Sequence, residues 1–300
     1  MTAPTAHPVA RKTLKREAVL AGQGLFSAQA STITFKPGKD GLTLVRSDVA
    51  ARIPVDYSAC TTNPVHAGFS SGQPRSTNLA RGHGMVATVE HMLSALTGLG
   101  ITDCDIEIDG IEVPIFDGSA QTFVQALLDA GIEELGETID PIVLEQAVKA
   151  EHLNASIVAE PRSKPGWSIT YTLDYGRGSA IANQTVTWDG SPDAYARSIA
   201  AARTFCMEHE AKALQRTGLF ENLTPADMLV IGLNGPIDNA YRFDDEPATH
   251  KLLDVIGDLT LAGRPIQADI VASRSGHQLN QRLANALVNR FPRMPIEPRP

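Results

Sequence analysis

HKLLDVIGD at residues 250–258 and EHMLSAL at residues 90–96 share one apolar pattern. Laying His250 over Glu90 puts Leu252, Leu253, Val255 and Ile256 over Met92, Leu93, Ala95 and Leu96. Apolar residues at i, i+3 and i+4 mark an amphipathic helix with one buried face. Any two amphipathic helices share that mark, so the helix match alone decides little. Each copy, however, is followed at a similar distance by a strand pattern, DCDIEIDG at 103–110 and residues 266–271. Helix and strand in the same order twice favour two related α/β halves. A ligand site between two such halves is a common arrangement.

Working outward, residues 31–35 and 42–46 read as strands flanking a turn at Pro37 and Gly38. Residues 70–84 (SSGQPRSTNLARGHG) are polar and Gly-rich, which predicts a mobile loop. The helix in MVATVEHMLSALTGLG (85–100) should end at Gly98 and Gly100, and a second helix should cover 120–130. In the second half, 143–149, 157–160 and 168–173 predict strands and 192–216 a long helix. A helix at 247–261 follows the acids Asp244, Asp245 and Glu246, which suit a helix N-terminus. A strand at 266–271 and a last helix at 278–289 complete the reading. The expected organisation is a disordered tail over 1–12, an N-terminal domain over 13–135, a C-terminal domain over 141–290 and a Pro-rich tail over 291–300. The acidic segment 131–141 (GIEELGETIDP) reads as the linker.

The chain has 300 residues, 43% hydrophobic and 20% charged, enough to bury a real core and too apolar for general disorder. No apolar run approaches the roughly 18 residues of a membrane-spanning helix. The net charge of −8 argues against nucleic acid as a partner but leaves room for an anionic small molecule held by a local cation. Cys60, Cys104 and Cys206 form no CxxC pair, so neither a zinc ribbon nor a disulfide framework is expected. With no apolar core near the N-terminus, the expectation is a soluble, cytoplasmic protein, most simply a monomer. Any metal site must then be built from histidine and carboxylate.

The strongest chemical feature is on the 250–258 helix. His250, Asp254 and Asp258 at i, i+4 and i+8 form a polar stripe on an otherwise apolar helix. Histidine nitrogen and carboxylate oxygen both suit Zn²⁺ at about 2.0–2.2 Å. A solvated face with a chance histidine would give the same spacing. Glu90 and His91 point about 100° apart on their helix, so His91 could bind an ion while Glu90 reaches a water beside it; surface decoration is the plain alternative. His277, between a strand and the last helix, is either a capping residue or an imidazole facing the same water with Asp258 as its orienter. His7, His66, His83 and the Cys206, His209 spacing are weaker candidates. The sequence has no HExxH, GxGxxG or GxxxxGK[ST] motif, which leaves metalloprotease helices and nucleotide-phosphate loops unsupported.

Taken together, TLK (13–15), TVEHMLSALTGLGI (88–101), EVPIFDGSA (112–120), ARTF (202–205), HKLLDVIGDL (250–259) and SGHQLN (275–280) resemble the zinc-dependent UDP-3-O-acyl-N-acetylglucosamine deacetylases of lipid A biosynthesis. The segments run in the family's order across most of the chain. The resemblance implies an α+β fold of two related domains, each a small β-sheet layered on α-helices, with the helices sandwiched between the two sheets. It implies Zn²⁺ on His91, His250 and Asp254, with Glu90 as general base and His277 as general acid backed by Asp258. Thr204 would lie near the oxyanion, Lys251 would be a cation lining the substrate site, and Phe205 would sit beside the sugar or nucleotide.

The substrate so implied is a small molecule, an acylated UDP-amino sugar, hydrolysed to acetate and the free amine. The chain departs from the family at Phe26 in GQGLFSA, where histidine is usual, and across 70–84, 178–181 (GSAI) and 220–227 (FENLTPAD). These departures fall on expected walls of the substrate site and leave the ligands intact. A zinc deacetylase of the same fold acting on a different N-acetylated sugar therefore stands as an alternative. A non-catalytic binding relative is less favoured, because base, acid and all three ligands are present together.

Overall fold

The computed structural model describes residues 4–65, 75–220, 224–225 and 228–291. The first half contributes strands Val9–Leu14 (β1), Ala18–Gln23 (β2), Ala30–Pro37 (β3), Leu42–Arg46 (β4), Ala51–Pro54 (β5), Cys60–Thr61 (β6), Asn78–Arg81 (β7) and Gly84–Val86 (β8). Helix Glu90–Gly98 (α1), strand Cys104–Ile108 (β9) and helix Gln121–Ala130 (α2) complete it. Strand Ile132–Ile139 (β10) leads into Ile142–Val143 (β11), Val148–His152 (β12), Ala155–Pro161 (β13), Ser168–Leu173 (β14) and Gln184–Trp188 (β15). After these come Pro192–Ala194 (α3), Phe205–Met207 (β16), Glu208–Gln215 (α4), Leu229–Gly232 (β17) and Gly235–Pro236 (β18). The chain ends with Glu246–Leu259 (α5), Ile266–Ser273 (β19) and His277–Arg290 (α6).

The repeat is realised as two sheets of one design. The first has the order β2-β3-β9-β4-β5 and the second β12-β13-β19-β14-β15. In both, the central strand pairs antiparallel on one side (β3 with β9, β13 with β19) and parallel on the other (β4 with β9, β14 with β19). Period-2 alternation selects the inward face: Ile33 and Phe35 on β3, and Cys104, Ile106 and Ile108 on β9, are all buried. Helix α2 lies on β2, α5 on β14 and β15, and α6 on β12 and β13, while α1 packs directly on α5. The helices thus occupy the space between the sheets, and one hydrophobic core runs through both halves.

The α1–α5 approach depends on a glycine. A Cβ at Gly257 would overlap the Glu90 carbonyl oxygen, so only glycine lets the helices meet this closely. Gly257→Ala is expected to cost about 1–3 kcal/mol, as overpacking a tight contact does, and to push the first turn of α1 away. Thermal denaturation and turnover should fall together; an unchanged Tm would mean that the helices have room to spare.

Several sequence expectations change. The helix expected over 192–216 is broken into α3, a π-turn at Tyr195–Ile199, β16 and α4. Buried Tyr195 lies against Gly98 and donates to Ser94 Oγ at 2.8 Å. Beyond it the backbone is drawn across to the first half, with Ala120 N donating to Ala200 O at 2.9 Å and Thr204 N to Gly118 O at 2.7 Å. Those bonds replace the helical ones. The segment 131–141 is no linker: β10 pairs antiparallel with β1, and its acids meet the basic residues of β1, with Arg11 Nη1 2.6 Å from Glu137. The same pairing orders Val9 to Lys12, part of the expected tail. Residues 78–86 form a hairpin turning at Gly82 (φ +60°) rather than a loop. The strand expected over 143–149 is split between β11 and β12, which pair with β19 and β13. Residues 66–74, with His66, and the tail from 292 lie outside the described residues.

Candidate metal centre

Three helices converge at one point between the halves. His91 comes from the first turn of α1, His250 and Asp254 from successive turns of α5, and His277 from the start of α6. His250 Nε2 is 3.3 Å and His91 Nε2 3.6 Å from Asp254 Oδ1. The two imidazoles meet edge to face at 89° with centroids 4.9 Å apart. Among the described residues, His91, His250 and Asp254 form the one group of three whose ligand atoms lie within 4.8 Å of one another, and all three are buried.

The donor chemistry fits a divalent cation. Asp254 Oδ1 is buried with no hydrogen-bond partner, a costly state for a carboxylate oxygen unless a cation completes it. The other oxygen, Oδ2, accepts from Lys251 Nζ at 2.7 Å. Burial favours the neutral Asp254 acid, but the Lys251 ammonium and the charged His277 ring hold the carboxyl well below its usual range. Burial pushes His250 down to about 3, so its ring is neutral, as a ligand must be. Its Nδ1 lies 3.2 Å from the Ala202 carbonyl oxygen. A carbonyl only accepts, so Nδ1 carries the proton and Nε2 is left bare toward Asp254. The cysteines are free, and burial pushes Cys60 and Cys104 up to about 12 and Cys206 up to about 11, far from thiolate ligands.

Beside this group sit a base and an acid. Glu90 is 3% exposed and accepts from Thr77 N on Oε2 at 2.9 Å. Its other oxygen is 3.9 Å from His277 Nε2. Burial raises the Glu90 carboxyl, against the pull of His277 and His91. His277 Nδ1 is 3.0 Å from Asp258 Oδ2. Burial works against the charged ring, but Asp258 first, then Asp254 and Glu90, push His277 up to about 10. An imidazolium donating to Asp258 thus turns Nε2 and its proton toward the cavity. Asp258 is fully buried and also accepts from Thr77 Oγ1 at 2.5 Å and Asn280 Nδ2 at 2.8 Å.

Glu90, His91, Thr204, Phe205, His250, Lys251, Asp254, Asp258 and His277 all belong to this neighbourhood, whereas His7, His83 and His209 do not line its cavity. A cavity of about 220 Å³ is lined by Glu90, His91, Thr204, Lys251, His277 and Phe26, among others. Lys251 stands 5.6 Å from the Phe205 ring centroid and is held to Asp254; burial opposes its charge, but Asp254 raises its pKa. Phe26 faces Phe220 at 5.8 Å across the apolar wall. A larger apolar cavity of about 330 Å³ at the other ends of α1 and α5 holds none of these residues, so chemistry rather than volume marks the site. Thr77, Asn280, Arg203 and Glu246 were not legible as supports. Thr77 lies in what reads as a loop, and Asn280 shows in the sequence only as the residue three positions after His277, in the first turn of the last helix.

A family model described as UDP-3-O-acyl N-acetylglycosamine deacetylase matches residues 11–289. The chain is similar to the UDP-3-O-acyl-N-acetylglucosamine deacetylase of Anaeromyxobacter dehalogenans, 34% identical over 281 residues covering 93% of this chain and 87% of that protein. The protein of the same name from Chlamydia muridarum is 34% identical over 280 residues, 93% of this chain and 95% of its own. That of a Geobacter species is 32% identical over 281 residues, 93% and 89%.

Proposed function

The chain belongs to the UDP-3-O-acyl N-acetylglycosamine deacetylase family and is accordingly an N-deacetylase of lipid A biosynthesis; we propose that it acts on UDP-3-O-acyl-N-acetylglucosamine with a zinc ion held by His91, His250 and Asp254. The observation that carries the metal reading is the orphaned, buried Oδ1 of Asp254, facing the imidazoles of His91 and His250. When bound, such an ion acidifies a water and polarises the acetamide carbonyl.

The remaining work falls to side chains. Glu90, beside the ligand group, takes the proton of the attacking water in its carboxylate form. The Thr204 hydroxyl, on the cavity wall, donates to the oxyanion that develops on the carbonyl, a contribution of about 2.7–4 kcal/mol for a well-placed donor. His277 gives its Nε2 proton to the departing sugar amine, a group too basic to leave unprotonated. Asp258 keeps that ring oriented and charged. Lys251 holds Asp254 and offers a cation to an anionic nucleotide sugar in an acidic chain. No helix among the described residues is long and apolar enough to cross a membrane. The free cysteines suit a reducing compartment, and we take the enzyme to act in the cytoplasm as a monomer.

The test is direct. Purified protein is assayed for bound metal, then incubated with UDP-3-O-acyl-N-acetylglucosamine and followed by mass spectrometry for loss of one acetyl group. One zinc per chain with acetate release is expected. Zinc without turnover would redirect the substrate assignment to another N-acetylated sugar, a reading that Phe26 on the cavity wall keeps in view. Absence of stoichiometric metal in chelator-free preparations would overturn the catalytic account.

A further inference from the structure

Neither Arg203 nor Glu246 lines the cavity, yet both are charged and buried, at 8% and 0% exposure. Glu246 opens α5 one turn before His250. Its carboxylate takes Arg203 Nε at 2.7 Å and Nη2 at 3.0 Å, a two-pronged pairing. It also accepts the backbone N–H of Arg203 at 3.1 Å and of Arg242 at 2.7 Å. The other guanidinium bonds go to Asn239 Oδ1 at 3.0 Å and the Ala240 carbonyl at 2.6 Å. So many bonds on one pair fix the path of residues 202–204 against the first turn of α5.

That path bears on the metal centre twice. Ala202 presents its carbonyl to His250 Nδ1, and Thr204 is held by its own N–H to Gly118 O at 2.7 Å. Arg242 reinforces the belt, reaching Ala201 O at 2.8 Å and Asp117 at 2.6 Å. We propose that Arg203 and Glu246 are positioning residues: their pairing holds the Ala202 carbonyl on His250 Nδ1, fixing the tautomer whose Nε2 faces Asp254 and His91. This rests on His250 being a metal ligand. A ligand imidazole anchored through its other nitrogen keeps its orientation and basicity, and loss of such an outer partner typically weakens metal binding about 10–100-fold.

The experiment titrates zinc against a chromophoric chelator for the wild type, Arg203→Lys, Glu246→Gln and, as a control, Arg11→Gln. Arg11 pairs with buried Asp103 in the β1 region, away from the cavity, so its loss reports general destabilisation. The first two variants should bind zinc about 10–100-fold more weakly, while Arg11→Gln lowers Tm and keeps wild-type affinity. Zinc affinity unchanged in Arg203→Lys and Glu246→Gln would overturn the proposal. Long-range ¹H–¹⁵N correlation of wild-type His250, assigned by its loss in His250→Gln, should place the proton on Nδ1. A proton on Nε2 in metal-free wild type would overturn it even if the variants fail to fold. Failure of the wild type itself to bind zinc would instead remove the metal reading on which the proposal stands.

Discussion

His91→Ala protein, purified in parallel with wild type, is expected to carry less than about a tenth of the metal and to lose turnover with it, since removing a ligand outright should cost at least what losing an outer partner does. The reason lies in how the ligands are shared. His250 and Asp254 come from one helix, α5, and could by themselves offer only two adjacent ligand atoms. His91 arrives from α1, in the other half of the repeat, and closes the group to three. Among the described residues nothing else within that spacing replaces it: Glu90 is turned to Thr77 and His277, and His277 is anchored on Asp258. The substitution should leave the fold largely intact, because the α1–α5 contact runs through Gly257 and the apolar faces rather than through the imidazole. Metal content by mass spectrometry, with a Tm beside it, separates the cases. Stoichiometric metal in His91→Ala would exclude His91 as a ligand and break the three-residue site.

Much of this arrangement was readable because its signals are local. His250, Asp254 and Asp258 stand at one helical period, and a polar stripe among Leu252, Leu253, Val255 and Ile256 needs no structure to be noticed. The doubled helix–strand order likewise favoured two related halves, and the five-strand paths of the two sheets do pair alike, β11 adding a sixth strand to the second. What escaped notice is set by contacts between distant residues. Thr77 serves Glu90 through its N–H and Asp258 through its hydroxyl, the latter across 181 residues of sequence; nothing near Thr77 announces either. The Arg203–Glu246 pair joins residues 43 apart. The helix expected over 192–216 failed for the same reason. Its residues have adequate helix propensity, but the bonds of Ala200 and Thr204 to the first half outweigh propensity, which is worth only tenths of a kcal/mol per residue, about. The acidic run of β10 looked like a linker because its basic partner strand, β1, lies at the opposite end of the domain's sequence.

Glu90→Gln and His277→Gln should both keep the metal and lose turnover by about 10²–10⁴-fold, the usual share of a positioned acid or base, yet they should differ in pH dependence. Glutamine at position 90 can still accept the Thr77 N–H through its carbonyl, so the local fold survives while the base is gone. Wild-type activity needs Glu90 ionised. Burial raises its carboxyl, so activity falls as pH drops through a pKa above the ordinary glutamate range. Activity also needs His277 protonated. With Asp258, Asp254 and Glu90 outweighing burial, its folded pKa is raised toward about 10, and activity falls as pH rises through it; a bound dication nearby would pull that limb to lower pH without reversing its sign. The profile is therefore a bell whose acid limb belongs to Glu90 and whose alkaline limb belongs to His277. In Glu90→Gln the residual rate should lose the acid limb, and in His277→Gln the alkaline one. The same shift has a stability counterpart: the charged His277 favours the fold fully below the unfolded histidine pKa of about 6.5, and that contribution disappears as pH rises through the folded value. Loss of the same limb in both variants, or loss of metal in either, would mean that the roles of base and acid are assigned to the wrong residues.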